Sequence, residues 1–403
     1  MSATERLYYH DSHLTEFEAR VVAVTERVSG WVAVTLDRTA FYPTGGGQPS
    51  DTGTLNDTRV VECIDVEDGG VLHVVQGRTL AVGDAVIGNV DWPRRLDHIQ
   101  QHTGQHILSQ AFIALFGAET RGFRMLDQYS EIDLALEEPS EDKLDRAVEL
   151  ANSIIWEDRP IRIRNVTKSE AASLPLRKES PREGELRLIE IDGFDLTPCG
   201  GTHARATGQV GMMAPRSFER AKGLTRLDFV AGGRALADYN RVNRVARSVA
   251  SMFSAARDET PPLVARLLDE NKQLTRRVRE LEETTARIEA EEMLAAATIV
   301  GDRFKLCAHV LEGRDAESLK SLALALISHA ETIALLGSRD GDTARLVFAR
   351  SSEAPGDMNA LMREACSVLG GRGGGRVDMA QGGGRNVERL SEAIEQAKQA
   401  LSH

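Results

Sequence analysis

His98-Ile99-Gln100-Gln101-His102-Thr103-Gly104-Gln105-His106 and, far along the chain, Thr197-Pro198-Cys199-Gly200-Gly201-Thr202-His203 are the two stretches from which the rest is read. Residues four apart on a helix lie one above the other on the same face, so His102 and His106 can turn two imidazoles toward one small cation. Cys199 and His203 repeat that step. Together they offer a Cys₁His₃ set that suits a tetrahedral Zn²⁺, one per chain. With those four positions filled, His98, one turn earlier on the helix, reads as a polar surface residue. Four protein ligands ordinarily close a structural zinc site. The small residues beside both pairs, Thr103-Gly104 and Gly200-Gly201-Thr202, favour the other reading, a metal with room around it that polarises a water or a carbonyl.

Working outward, the pattern around the histidines is helical from Arg94 to about Phe116, with Gly117 as a stop. Residues 1 to about 92 are β-rich: 18–28, 31–36, 59–65, 71–75 and 85–90 are short runs with β-branched residues and turn signals between them, which predict a small barrel or sandwich. Among them lies Phe41-Tyr42-Pro43-Thr44-Gly45-Gly46-Gly47-Gln48, either a mobile loop or a backbone lip against a substrate. Between 93 and 235, strands at 129–136, 161–166 and 186–192 and a helix from Ser140 to about Trp156 make the metal-bearing segment α+β.

From 236 to 297, Val264, Leu267, Asn271, Leu274, Val278, Leu281, Thr285 and Ile288 follow the four-three spacing of a coiled-coil seam. A hairpin with the preceding helix through Thr260-Pro261-Pro262 and a homodimeric coiled coil both satisfy it; the hairpin is slightly favoured. From 298 to 403, strands near 306–310, 332–336 and 345–349 and helices near 315–330, 357–369 and 386–401 predict an α/β unit. Its glycine run from Gly370 to Arg385, interspersed with arginines before the last helix, is open to two readings, a phosphate cradle or a loop.

Composition bounds the function. The 403 residues carry a net charge of −12, with ordinary apolar (41%) and charged (27%) fractions. No run is apolar and long enough to span a bilayer, no secretory segment opens the chain, and the four scattered cysteines argue against a disulfide framework. A reducing, cytoplasmic setting with no membrane partner is expected. The acidic balance gives no support for a nucleic-acid binder; only local clusters such as Arg94-Arg95 and Arg216 to Arg226 are basic.

The motifs, taken in order, resemble the free-standing alanyl-tRNA editing proteins of the AlaX type in their long form. These are similar to the editing and C-terminal regions of alanyl-tRNA synthetase. The resemblance rests on Phe41 to Gln48 with Asp51-Thr52-Gly53, on His102-Thr-Gly-Gln-His106, on Cys199-Gly-Gly-Thr-His203 with Thr207 to Gly211, and on the C-terminal glycine run, which looks like the DHHA1 signature. It implies hydrolysis of the ester joining a wrong amino acid, serine or sometimes glycine, to the 3′ end of alanine tRNA. It also implies zinc on His102, His106, Cys199 and His203.

A substrate pocket is expected from Gly45, Gly46, Gly47, Gln48, Thr103, Gln105, Thr120, Gly200, Gly201 and Thr202, with Thr120 sensing the hydroxyl. Gln105 stands where many relatives carry Thr or Leu. Arg372, Arg376 and Arg385 would hold tRNA phosphate, the attacking water would sit on or near zinc, and ATP binding comes by family association alone. The expected domains are a barrel (1–92), the editing domain (93–235), a helical hairpin or coiled coil (236–297) and the DHHA1-like domain (298–403), with a homodimer through the coiled coil or the C-terminal domain. The competing function is a non-catalytic tRNA-binding or regulatory protein with a structural zinc. A phosphoesterase is disfavoured because no Asp-His-His motif accompanies the C-terminal domain.

Overall fold

The computed structural model describes residues 3–27, 30–67, 69–77, 80–179, 184–301 and 303–401. Two compact units make up the chain, Met1–Val249 and Ala250–His403. The barrel and the metal-bearing segment therefore share one unit.

The first unit begins with a closed barrel in the order β2-β3-β7-β6-β5-β8. Its strands are β2 (Glu16–Glu26), β3 (Trp31–Leu36), β5 (Gly53–Leu55), β6 (Thr58–Asp65), β7 (Val71–Gln76) and β8 (Ala85–Val90), while β1 (Glu5–Arg6) and β4 (Arg38–Thr39) pair beside it. Four of the five expected runs match strands almost residue for residue, because alternation places Phe17, Val21, Val34, Val60, Val75 and Val86 in one interior cluster. A closed barrel leaves no edge strand unpaired.

Asp91 then precedes α1 (Trp92–Phe116), with Pro93 in its first turn and Gly117 at φ 64° ending it. Proline fits there because the first helical N–H groups have no partner to lose. Beyond α1 a sheet in the order β14-β15-β10-β9 forms from β9 (Thr120–Met125), β10 (Ser130–Leu134), β14 (Met213–Ala221) and β15 (Leu224–Ala231). It packs with α1 and α2 (Glu141–Trp156) around Ile107, Phe112, Ile132, Leu144 and Phe229. Ser140 caps α2, accepting from the Lys143 N–H. A three-stranded sheet of β11 (Ile161–Thr167), β12 (Glu185–Ile191) and β13 (Asp195–Pro198), with the one-turn α3 (Lys168–Ala171) after β11, carries Cys199 just past its last strand. Helix α4 (Gly232–Met252) follows.

In the second unit, after the last residues of α4, comes α5 (Thr260–Ala295), a single helix of 36 residues. Thr260-Pro261-Pro262 is thus the first turn of a helix and not the expected hairpin turn; prolines at the N-terminal positions start a helix as readily as they end one. The seam residues Leu267, Leu274, Val278, Leu281 and Ile288 are all more than half exposed. Ion pairs four residues apart, Arg266–Glu270, Arg276–Glu280 and Arg279–Glu283, support the exposed helix.

The C-terminal sheet runs β16-β17-β18-β19-β21-β20, with strands β16 (Thr298–Val300), β17 (Phe304–Glu312), β18 (Thr332–Asp340), β19 (Thr343–Arg350), β20 (Arg372–Gly375) and β21 (Met379–Gly384). One layer of side chains joins it to Ala286 and Ala290 of α5 and to α6 (Ala316–Ile327). The opposite layer joins it to α7 (Met358–Val368) and α8 (Leu390–Ala400).

The glycine run is neither a mobile loop nor a cradle at a helix start. It forms the antiparallel hairpin β20–β21, with Gly373 opposite Gly382. A Cβ on Gly373 would stand 2.7 Å from Cys366 Sγ, and one on Gly382 2.4 Å from the same atom. Glycine is required so that these strands can lie directly on α7.

Candidate metal centre and cleft

Helix α1 and the loop after β13 bring His102, His106, Cys199 and His203 together. One ligand atom from each lies within 4.8 Å of all the others. His102 Nε2 and His203 Nε2 approach Cys199 Sγ to 3.3 and 3.4 Å. A Cys₁His₃ set of this size fits zinc.

The far nitrogen of every ring is engaged, which is how metal-bound imidazoles are usually oriented. His102 Nδ1 donates to Gln48 Oε1 at 2.8 Å, because an amide oxygen can only accept. Gln48 Nε2 in turn donates to Thr202 Oγ1 at 2.9 Å, so one side chain ties the barrel's glycine strap to both ligand segments. His203 Nδ1 lies 3.4 Å from Thr103 Oγ1, and His106 Nδ1 lies 3.3 Å from Asp195 Oδ2. Asp195 is steadied by Arg177 Nε and by the Thr197 hydroxyl, both at 2.8 Å. That arrangement leaves Nε2 of all three rings for the metal.

Charge follows geometry. Burial alone would raise the Cys199 thiol, but His102, His106 and His203 around it hold it well below its ordinary value, toward the thiolate a metal needs. Burial pushes His203 down to about 3, toward the neutral ring that ligates. Burial would lower His106 too, yet Cys199 and the Asp195 hydrogen bond raise it.

Three of the four ligands, His102, His106 and Cys199, line a cleft of about 500 Å³, walled also by Tyr9, Gly46, Gln105, Thr120, Phe123, Arg177, Arg187 and Gly200 among others. Of the expected pocket residues, Gly46, Gln105, Thr120 and Gly200 line it. Gln105 Nε2 donates to Ser109 Oγ at 2.7 Å, and Ser109 Oγ lies 2.6 Å from Thr120 Oγ1, so a polar chain ends at the cleft wall.

The others stand behind the wall. Gln48, Thr103 and Thr202 are buried and position the ligands, while Gly45 closes a tight turn with Gln48. Gly47, at φ 81°, lies against Phe123, whose carbonyl a Cβ would meet at 2.4 Å. Gly201 passes over His102 so closely that a Cβ would stand 2.3 Å from its Cε1. Gly104 faces Met213 and Ala231, so it serves helix packing and does not open space at the metal.

His98, expected at the surface, is only 2% exposed. Among the described residues its Nδ1 finds no partner, and burial with the nearby Arg94, Arg234 and Arg95 charges drives it down to about 3. Sequence reasoning also missed Asp195, Ser109 and Arg187. Asp195 stands four residues before Cys199, the one signal that could have marked it.

Comparison with known proteins settles the lineage. The chain is 33% identical to alanyl-tRNA editing protein AlaX-L of Pyrococcus horikoshii, over 97% of this chain and 96% of that one. It belongs to the AlaX-L family of alanyl-tRNA editing proteins. Three family models match segments of this chain: tRNA synthetases class II (A) over residues 2–94, the threonyl and alanyl tRNA synthetase second additional domain over 186–228, and the DHHA1 domain over 303–403. Alanine–tRNA ligases of Methanoregula boonei and Pyrococcus abyssi are 32% and 31% identical over 99% and 97% of the chain, which spans 43% of each. The C-Ala domain of Aquifex aeolicus alanyl-tRNA synthetase is 34% identical over 27% of this chain and 98% of that domain, with a TM-score of 0.24.

Among the described residues no helix is long and apolar enough to cross a membrane.

Proposed function

We propose that this protein is a trans-editing hydrolase that removes serine or glycine from mischarged alanine tRNA. The observation that carries the proposal is the Cys₁His₃ cluster, braced from behind and open on one side to a cleft, in a chain similar to AlaX-L along nearly its whole length. An aminoacyl ester is already reactive, so the site must place a water and favour the developing oxyanion. A bound Zn²⁺ supplies Lewis-acid polarisation and lowers the pKa of water held near it.

The chain's own residues do the rest. Gln48, Thr103 and Asp195 hold the ligand rings in one tautomer, and Phe123 with the Gly45–Gln48 strap limits solvent on the barrel side. Thr120, at the end of the chain from Gln105 through Ser109, meets the serine hydroxyl. A site built to pair a hydroxyl disfavours alanine, which leaves that polar group unmatched. Arg372 and Arg385 at the ends of the β20–β21 hairpin, with Arg376 in its turn, are exposed and take tRNA phosphate. A second copy pairs along the exposed α5 seam.

Deacylation of Ser-, Gly- and Ala-charged alanine tRNA by the wild type and His106→Ala, with metal measured by mass spectrometry, tests the proposal. One zinc per chain, rapid loss of serine, sparing of alanine and an inactive variant are expected. Equal rates on Ser- and Ala-tRNA, or none with zinc bound, overturn it.

The second reading, a tRNA-binding protein with a structural zinc, is favoured by the four protein ligands, which fill a tetrahedral shell. It requires tRNA binding without turnover and unfolding of the first unit in Cys199→Ala.

A further inference from the structure

Of three arginines that anchor the segments around the metal centre, Arg95 is fully buried and Arg177 and Arg187 are partly buried, and two have carboxylate partners. Arg95 pairs with Asp51, and Arg177 with Asp195. Arg187 has none among the described residues. It sits on β12 opposite the start of the ligand loop, with the Cys199 N–H donating to its carbonyl at 3.0 Å. Its Nε donates to Tyr9 O at 3.0 Å, and its Nη1 to Cys199 O at 2.7 Å and Gly201 O at 3.1 Å. Its charge lies 5.3 Å from the centre of the Tyr9 ring. Nη2 is shielded from solvent and among the described residues has no hydrogen-bond partner, and the residue lines the cleft. Glu179 and Glu185 also line that cleft, but neither pairs with it.

A half-buried guanidinium held by three carbonyls, with one N–H group unmatched among the described residues in a side chain that lines a cleft, is arranged for an anion. Under the editing reading, on which this inference rests, the chemistry of an aminoacyl ester selects which anion. The amino acid carries an ammonium and no free carboxylate, so Arg187 repels that end. The permanent negative charges near the ester are the phosphodiesters of the RNA chain. Because Arg187 contacts the carbonyl of Cys199 itself, the phosphate it reaches lies within one nucleotide of the metal cluster.

We propose that the Arg187 guanidinium, whose side chain lines the cleft, holds a phosphate oxygen of the substrate's last phosphodiester and thereby positions the terminal ester over the metal centre. It is a binding residue, distinct from the ligands and from the wall that senses the amino acid.

The test is equilibrium binding of an uncharged minihelix ending in CCA, made with either a normal or a neutral methylphosphonate last linkage, to wild-type protein and Arg187→Gln. Neutralising the linkage should weaken wild-type binding about tenfold to a hundredfold, the range of a charged hydrogen bond. Arg187→Gln should bind the normal RNA as weakly as wild type binds the neutral one and lose nothing further. With single-stranded contacts, its slope of log K against log salt should fall by about 0.7.

Equal wild-type affinity for both RNAs overturns the proposal, and that arm stands even where the variant fails to fold. A variant still sensitive to neutralisation also overturns it. Deacylation of the seryl minihelix, run alongside, separates the two readings. Phosphate-dependent binding without hydrolysis removes the editing function and keeps the Arg187 assignment; hydrolysis with phosphate-indifferent binding does the reverse.

Discussion

Replacing Arg95 by Met should destabilise the first unit by about 3–5 kcal/mol, the usual cost of breaking a buried ion pair on one side. Arg95 and Asp51 are both wholly inaccessible to solvent. The guanidinium donates through Nε to both Asp51 oxygens at 3.1 Å, through Nη1 to Ser12 O at 2.7 Å and through Nη2 to Ala40 O at 2.6 Å. Asp51 also accepts from the Tyr42 N–H at 2.7 Å. This one side chain on the histidine helix therefore fastens the barrel end that carries the Gly45–Gln48 strap. Truncation leaves a buried carboxylate without its counter-charge and two carbonyls without donors.

For a unit of this size, each kcal/mol moves the thermal midpoint by about 2–4 °C, so a fall of about 6–20 °C is expected in a calorimetric scan of the full chain. The deficit should persist in high salt, since a buried pair is barely screened. Adding Asp51→Asn, which keeps an acceptor for Tyr42 and removes the charge, should recover about 1–3 kcal/mol as a positive coupling. A single-variant cost below about 1 kcal/mol, or a double variant no better than the sum of its parts, would refute the reasoning.

Other outcomes follow from the same contacts. Asp195→Asn, which weakens the brace on His106, should lower zinc affinity about tenfold to a hundredfold in competition with a chromophoric chelator while the fold survives by circular dichroism. Gly201→Ala should expel His102 from the cluster, since its Cβ would lie 2.3 Å from His102 Cε1; an unchanged zinc stoichiometry would contradict this. His73 is buried between Thr39 Oγ1 and Val34 O, and burial lowers it to about 4 from an ordinary 6.5. The unfolded chain therefore binds a proton that the folded barrel refuses. This contribution is complete above about pH 6.5 and is lost as pH falls toward 4, about 2 kcal/mol of it by pH 5. His73→Gln should flatten the difference between urea midpoints at pH 7 and pH 5, and an unchanged difference would count against it.

Legibility followed the range of the interactions. The barrel strands, α1 and the two ligand pairs could be read because each depends on spacing within a few residues. The long seam of α5 was legible as helix by the same rule. Its partner was not, because periodicity states which face is apolar and nothing about what covers it. The glycine run shows the opposite failure. Composition suggested a loop or an anion cradle, whereas those glycines are the only residues that let β20 and β21 lie on Cys366 of α7.

The amino-acid sequence alone thus determined which four side chains could meet a metal, that they come in two four-residue steps, and that a small β-rich segment, barrel or sandwich, precedes them. Tertiary structure decided what stands behind and beside them. Gln48 reaches His102 across 54 positions and Thr202 across 154, Asp195 reaches His106 across 89, and Arg187 is brought from β12 to the cleft lining beside Cys199. Such pairings leave no local period, because they are set by chain closure over distances that no window of residues spans. The burial of His98 belongs to the same class: its face of α1 looks like any other until packing excludes water from it.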